Sequence, residues 1–257
     1  MDTKHKIATD WLPRYTGAEP DDLADCILLT NFSHYVDEFS KQYDCKITGK
    51  DKPMQTATNK HGLSIINFGI GSANAATIMD LLVARNPRAV LFLGKCGGLK
   101  RSSEIGHFIL PIGAIRGEGT SEDYAVPEIP ALPSFKLHKF VSEKLVDRQV
   151  DYRTGVVYTT NRRLWEWDLD FKDYLKSLSA IAIDMETATI FVVGHANQIA
   201  RGARFSVSDT PMTPEGVKTQ KSDKLVTRKF VEMHLQIGIE SMTDIGEQGE
   251  TIKHFSY

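Results

Sequence analysis

Continuous apolar runs alternate along the chain with segments in which apolar residues recur every three or four positions. The runs CILLTNF (26–32), AVLFLGKCGG (89–98) and ARFSVSDTP (203–211) are typical of strands that are buried on both faces. The segments SHYVDEFSKQY (33–43) and SANAATIMDLLVARN (72–86) have the spacing of helices. This alternation predicts an α/β fold in which helices cover both faces of a sheet.

Four further segments extend the pattern. TNKHGLSIINFGIG (58–71) predicts a β-hairpin, because a polar strand and an apolar strand flank a turn that contains glycine. HFILPIGAIR (107–116) predicts a strand in which Pro111 marks an edge or a bulge. RTGVVYTT (153–160) predicts another strand, and AIAIDMETATIFVVGHANQI (180–199) predicts a strand followed by a helix.

The proline-rich stretch 117–135 shows neither the apolar runs of a strand nor the apolar spacing of a helix. It is too long for an ordinary connection, so we expect it to be functional or to pack on a neighbour. Helices are predicted over 136–148 and 222–245, on either side of the last strands. The predicted inner face of the last helix comprises Leu225, Phe230, Met233, Ile237 and Met242.

Composition and charge exclude several classes of protein. The chain has 257 residues, with 31 basic and 33 acidic side chains and a net charge of -2, so nothing attracts it generally to nucleic acid or an anionic membrane. No apolar run reaches the length of a transmembrane helix, and the polar N-terminus has no signal-peptide core. The length is ordinary for one α/β domain, so we expect residues 1–257 to form a single domain.

Histidine and cysteine spacing argue against a metal site. The eight histidines show no HxH or HxxxH pattern, and the three cysteines have no metal-ligand spacing. Because three cysteines cannot all pair, reduced thiols in a cytoplasmic protein are the favoured interpretation. We therefore expect no metal, no cofactor, and neither a nucleic acid nor a membrane as partner.

The ends of the predicted strands are where ligands bind in such sheets. The segment NFGIGSANA places Gly69, Gly71 and Ser72 between a strand and a helix, where exposed N–H groups favour an anion. A plain turn with a serine cap explains this segment equally well. Lys95, at the end of the next strand, is either a phosphate ligand or a solvated lysine in a turn.

Carboxylates follow two other strands. Asp184 and Glu186 are explained by capping and dipole effects at a helix start, and the local pattern favours that interpretation. Alternatively, one carboxylate accepts hydrogen bonds from ribose hydroxyls while Met185 packs on the sugar. Asp209 either begins a turn beside Ser208 or acts as a general acid whose pKa is raised by burial.

The ordered set GIGSANA, GKCGG, IDMETATI and VSD resembles the nucleoside phosphorylase and nucleosidase family. RYTG, LLTNFSHYVDEF, RTGVVYTTNRRLWE and HLQIGI add specific matches, so the resemblance runs from about Arg14 to Ile239. It implies a three-layer α/β fold with a mixed central sheet flanked by helices. It is closest to the branch that hydrolyses the N-glycosidic bond of AMP, releasing adenine and ribose 5-phosphate without a cofactor. It also implies a homo-oligomer, expected to be a hexamer, with sites shared between subunits.

The resemblance implies roles for individual residues. Met185 and Glu186 match the family's ribose-binding pair, and Asp209, beside Ser208, matches the catalytic residue that contacts the purine at N7. Base-binding candidates also include Thr160, Asn161 and Trp165. Candidates for binding phosphate are Gly71, Ser72, Lys95, Arg14, Arg116, Arg163 and His34.

One departure from the family bears on the reaction. Lys95 stands where phosphorylases carry a small serine next to the attacking phosphate. A long cation there favours water as the nucleophile, and phosphate binding by Lys95 stays open as the alternative. We also expect a short form without the extra N-terminal regulatory domain of many relatives. Two alternatives stay open: a purine nucleoside phosphorylase that uses inorganic phosphate, and a non-catalytic nucleotide-binding protein that keeps the fold.

Overall fold

A computed structural model describes residues 2–217 and 220–247, with the backbone alone for 220–229. The strands of this part of the chain are β1 Cys26–Thr30, β2 Ile47–Thr48, β3 Gln55–Thr58, β4 Leu63–Asn67, β5 Ala89–Gly98, β6 Phe108–Gly117, β7 Tyr152–Thr160, β8 Ala182–Asp184 and β9 Arg201–Asp209. The helices are α1 Thr3–Thr16, α2 Ser33–Tyr43, α3 Ser72–Leu81, α4 Phe135–Asp147, α5 Leu169–Ser177, α6 Thr187–Ala196 and α7 Gln220–Glu247.

The strands form one mixed sheet in the order β2-β3-β4-β1-β5-β8-β7-β6-β9. The long strand β5 lies at its centre. It pairs in parallel with β1 and with β9, and its last residues pair antiparallel with β8. Because β9 pairs with both β6 and β5, strands β5, β8, β7, β6 and β9 close into a ring. The strand ends around this ring therefore converge.

Helices cover both faces of the sheet, as the alternating pattern predicts. One apolar core contains Met79 of α3 and Phe191 of α6. The other contains Phe39 of α2, Leu137 of α4 and Leu235 of α7. The predicted three-layer α/β fold with a mixed sheet is confirmed, and its two cores hold the strands that carry the candidate chemistry.

Two details of the predicted strands are also confirmed. Strands β3 and β4 form the antiparallel hairpin, with Gln55 opposite Asn67. The register between β6 and β7 shifts between Pro111 and Gly113, which is the bulge expected at a proline inside a strand.

The sequence prediction missed α1 and α5 and was wrong at Met233. Helix α1 buries only Ala8, Leu12 and Thr16, so its apolar signal is thin. Met233 is 49% exposed, whereas Ile237 and Met242 are buried as expected. Leu225 lies outside the described side chains.

Arg116 organises the irregular stretch that follows β6. Its Nε donates to Ser121 Oγ across 2.9 Å, and its Nη atoms donate to the carbonyl oxygens of Ala125, Val126 and Ile129. The guanidinium group thus satisfies backbone carbonyls that no helix or strand pairs. No helix among the described residues combines the length and the apolar character needed to cross a bilayer.

Candidate active site

The ends of β1, β5, β7, β8 and β9 surround a cavity of about 120 Å³ that is open to solvent. The cavity brings together eight of the predicted site residues, which come from four strand ends and the loop after β7: Lys95, Thr160, Arg163, Trp165, Met185, Glu186, Ser208 and Asp209.

Glu186 lies just before α6 and is 2% exposed. Its Oε1 accepts a hydrogen bond from the backbone N–H of Gly71 at 2.8 Å, and the Asn31 side chain also hydrogen-bonds to it. Burial and, second, the negative charge of Asp184 together raise the pKa of Glu186 to about 8, although the hydrogen bonds from Gly71 and Asn31 oppose the shift. A buried carboxyl group with a pKa near neutrality is a functional-site signal.

Asp184 has a structural role at the start of α6. Its Oδ2 accepts from the backbone N–H groups of Glu186 at 3.0 Å and Thr187 at 2.7 Å, and from the Thr187 hydroxyl at 2.6 Å. Its Oδ1 accepts from Thr159 Oγ1 at 2.7 Å. Burial raises the pKa of Asp184, and these donors oppose the shift. The network fixes the turn that aims Glu186 into the cavity.

Ser72 ties the glycine loop to the same turn. Its Oγ donates to the carbonyl oxygen of Met185 across 2.7 Å. Together with the bond from Gly71 to Glu186, this holds both residues of the Met-Glu pair against the start of α3. Gly71 and Ser72 therefore position the pair, and neither is among the residues that line the cavity.

Asp209 ends β9 and is 8% exposed. Its Oδ1 lies 2.6 Å from Ser208 Oγ, which donates to it, and Ser208 Oγ is 3.3 Å from the carbonyl oxygen of Cys96. Because β9 pairs with β5, Asp209 lies opposite Gly97. A Cβ at Gly97 would come within 2.9 Å of Pro211 and 3.2 Å of Ile183, so only glycine allows this close packing.

Lys95 is 9% exposed and brings a cation to the β1 side of the cavity. Its Nζ lies 4.5 Å from the centre of the Phe32 ring, within the range of a cation–π contact. This contact orients the ammonium group at the cavity wall. A solvated lysine in a turn would lack such a contact.

Besides Gly71 and Ser72, four predicted residues lie outside the cavity lining, each for a physical reason. Arg14 is exposed on α1 and pairs with Asp10 one turn away. Arg116 is occupied by loop carbonyls. Asn161 is exposed. His34 packs beside Phe32, with ring centres 5.5 Å apart, and borders a separate groove between α2 and α7.

Sequence reasoning also missed lining residues. Asn31 and Phe32 follow β1, and Arg162 and Glu166 lie in the loop after β7. The signal was available for the first two, because the end of a strand in such a sheet is a ligand position whether or not it carries a charged residue. Glu166 and Arg162 stand in an irregular loop, where sequence spacing does not determine side-chain direction.

Within residues 2–217 and 230–247, no three His, Cys, Asp or Glu side chains lie close enough together to hold a metal ion. The functional groups that line the cavity are carboxylates, cations, an amide and a thioether.

Comparison with known proteins gives one consistent family. Residues 25–242 match the phosphorylase superfamily model. AMP nucleosidase of Escherichia coli K12 is 29% identical over 290 aligned residues, covering 94% of this chain and 59% of that protein. The chain thus spans about three fifths of the length of this relative.

Solved structures agree. The crystal structure of AMP nucleosidase from Bacteroides thetaiotaomicron VPI-5482 is 50% identical, covers 96% of this chain and 100% of its own, and superposes with a TM-score of 0.85. Purine nucleoside phosphorylase from Toxoplasma gondii shares the fold at 15% identity, with a TM-score of 0.79 over 90% of this chain and 95% of that one. This chain belongs to the phosphorylase superfamily.

Proposed function

We propose that the chain hydrolyses the N-glycosidic bond of AMP to adenine and ribose 5-phosphate. The observation that carries the proposal is the placement of Glu186 and Asp209, two buried carboxyl groups, in one cavity with Met185 between the strand ends. The similarity to proteins named AMP nucleosidase supports the substrate.

Asp209 is the proposed proton donor. Adenine is a poor leaving group as an anion, so a proton must reach the base as the bond to C1′ breaks. Asp209 would transfer its proton to N7, and the bonding electrons would pass into the neutral base. Ser208, which hydrogen-bonds to the carboxyl group, would hold it in the plane of the purine.

Glu186 is the proposed ribose clamp. Its carboxylate would accept hydrogen bonds from the 2′- and 3′-hydroxyls and place negative charge near the oxocarbenium-like transition state. Met185 would pack on the sugar and exclude water from that face. The bonds from Gly71 and Ser72 keep this pair in position before substrate arrives.

Water is the proposed nucleophile. It would attack C1′ and lose a proton to solvent, giving ribose 5-phosphate. The long side chain of Lys95 reaches the cavity wall at the strand end where a phosphorylase needs room for inorganic phosphate. Lys95 is also the proposed ligand of the 5′-phosphate. The other cations at the cavity, Arg162 and Arg163, pair with Asp168 and Glu166.

The decisive experiment measures adenine release from AMP with and without inorganic phosphate. Release without phosphate, with ribose 5-phosphate as the sugar product, is expected. Strict dependence on phosphate would establish the phosphorylase alternative, and tight AMP binding without release would establish the nucleotide-binding alternative.

A second experiment tests Lys95 as the ligand of the 5′-phosphate. With Lys95→Met, KM should rise more for AMP than for adenosine.

The proposal extends to assembly and location. Residues 1–257 would form one catalytic domain that assembles as a homohexamer in the cytoplasm, with sites completed by neighbouring subunits. Leu164, Trp167 and Leu169 support assembly, because these apolar side chains are 72–75% exposed near the cavity. None of the three cysteines forms a disulfide, which is consistent with a reducing compartment. Light scattering on the purified protein tests for six copies.

A further inference from the structure

Glu166 places a fourth carboxylate at the cavity, beside those of Asp184, Glu186 and Asp209, and the proposed reaction leaves it without a role. Its side chain is only 15% exposed although it belongs to an open loop. Its Oε2 accepts from the backbone N–H of Trp165 at 2.9 Å, and its Oε1 lies 3.7 Å from Arg163 Nη1. A carboxylate oxygen accepts more than one hydrogen bond, so Oε1 retains capacity for a ligand donor.

A series of packing contacts connects Trp165, the residue before Glu166, to the strand end that carries Asp209. Trp165, the preceding residue, is buried in a small apolar cluster with Ile183 and Met212. Ile183 packs against Gly97, and Gly97 lies opposite Asp209 in the sheet. Lys95 and Phe32 mark the opposite side, toward β1.

A purine bound against Asp209 presents two neighbouring groups on one edge, N7 and the substituent at C6. In adenine these are an acceptor and an amino donor, whereas guanine and hypoxanthine present two acceptors. A protonated carboxyl group at N7 and a carboxylate acceptor at C6 therefore complement adenine. The same pair would repel the 6-oxo group.

We propose that Glu166 accepts a hydrogen bond from the 6-amino group of the base and makes the site selective for 6-aminopurines over 6-oxopurines. The inference rests on the proposed function, since it places the base against Asp209. Trp165 orients the Glu166 carboxylate through its backbone N–H, and Arg163 balances the charge of the carboxylate at the cavity rim.

The test compares kcat/KM for AMP and IMP in the wild type, in Glu166→Gln and in the control Glu143→Gln. Glu143 is a half-exposed residue of α4 that pairs with Lys139. The glutamine amide can keep the bond from Trp165 while turning an N–H group toward the base. The AMP to IMP ratio should fall about 10- to 100-fold in Glu166→Gln and stay unchanged in Glu143→Gln. An unchanged ratio in Glu166→Gln overturns the proposal.

Binding of free bases, measured by calorimetry, separates this inference from the reaction itself. The wild type should bind adenine about 10- to 100-fold more tightly than either hypoxanthine or unsubstituted purine, a comparison that needs no variant to fold. If AMP is not cleaved but this preference is present and is lost in Glu166→Gln, the proposed reaction fails and the role of Glu166 stands. If AMP is cleaved and the wild type binds adenine and purine equally, the role of Glu166 fails and the reaction stands.

Discussion

The backbone N–H of Gly71 donates a hydrogen bond to Oε1 of Glu186 across 2.8 Å, joining the loop after β4 to the turn before α6. These residues are 115 positions apart in the sequence. The bond explains why the glycine is needed: Gly71 has a φ of 98°, which side chains larger than hydrogen rarely allow. The glycine loop thus directs an N–H group at a carboxylate of the protein itself.

The first prediction concerns pH and activity. Since burial and Asp184 raise the pKa of Glu186 to about 8, and the proposed clamp needs the ionised form, kcat/KM for AMP should increase as the pH rises through 8. The substrate phosphate ionises near pH 6, well below that window. Glu186→Gln should show a lower rate without this increase. A wild-type profile that is flat from pH 7 to 9 would contradict the assignment.

The second prediction concerns pH and stability. The folded-state pKa of Glu186 lies above its ordinary value of 4.5, so between these values the folded protein keeps a proton that the unfolded chain has lost. The contribution of Glu186 to the free energy of unfolding is fully present below pH 4.5. It decreases by at most about 1.4 kcal/mol per pH unit until pH 8. Urea unfolding at several pH values should show a shallower decrease for Glu186→Gln than for the wild type.

The third prediction tests the proton donor. Asp209→Asn keeps a hydrogen-bond donor for N7 but has no proton to transfer, so kcat for AMP should fall about 10²–10⁴-fold. The 4-nitrophenyl glycoside of ribose 5-phosphate has a leaving group that departs without protonation. For this substrate, kcat of Asp209→Asn should fall much less. Equal losses on both substrates would indicate that Asp209 only binds the base.

Strand ends were predictable because apolar runs identify the strands and the sheet places their ends together. Met185, Glu186, Ser208 and Asp209 each lie within two residues of such an end, so the backbone carries them to the cavity. Local pattern alone favoured a helix cap at Asp184. The structure supports that interpretation for Asp184, which bonds two N–H groups at the start of α6.

The directions of the lysine and arginine side chains were not predictable in the same way. Lysine and arginine side chains span several ångströms and take their direction from partners far away in the sequence. Arg116 turns to carbonyls 9–13 residues later, and Lys95 turns to the Phe32 ring. Helix α5 escaped prediction because it buries only Lys172 and Leu175, so no apolar stripe marks it.

The fourth prediction distinguishes positioning from phosphate binding at Ser72. Ser72→Ala removes the bond to the Met185 carbonyl, which is worth about 1 kcal/mol, or roughly a fivefold loss in kcat/KM. The loss should be the same for AMP and adenosine, because the bond acts on the residues that are proposed to hold the sugar. A loss confined to AMP would instead make Ser72 a ligand of the 5′-phosphate.

The fifth prediction concerns Arg116. Arg116→Met removes a hydrogen-bond donor from three loop carbonyls and the Ser121 hydroxyl, so the free energy of unfolding should fall by about 2–3 kcal/mol. Hydrogen exchange should accelerate selectively in residues 118–131, while KM for AMP should stay within about twofold of the wild-type value. The control Arg153→Met removes an exposed side chain paired with Asp151. It should change neither the free energy of unfolding nor hydrogen exchange in residues 118–131. If KM for AMP rises strongly while exchange in 118–131 is unchanged, Arg116 binds the substrate phosphate and its role in the loop is secondary.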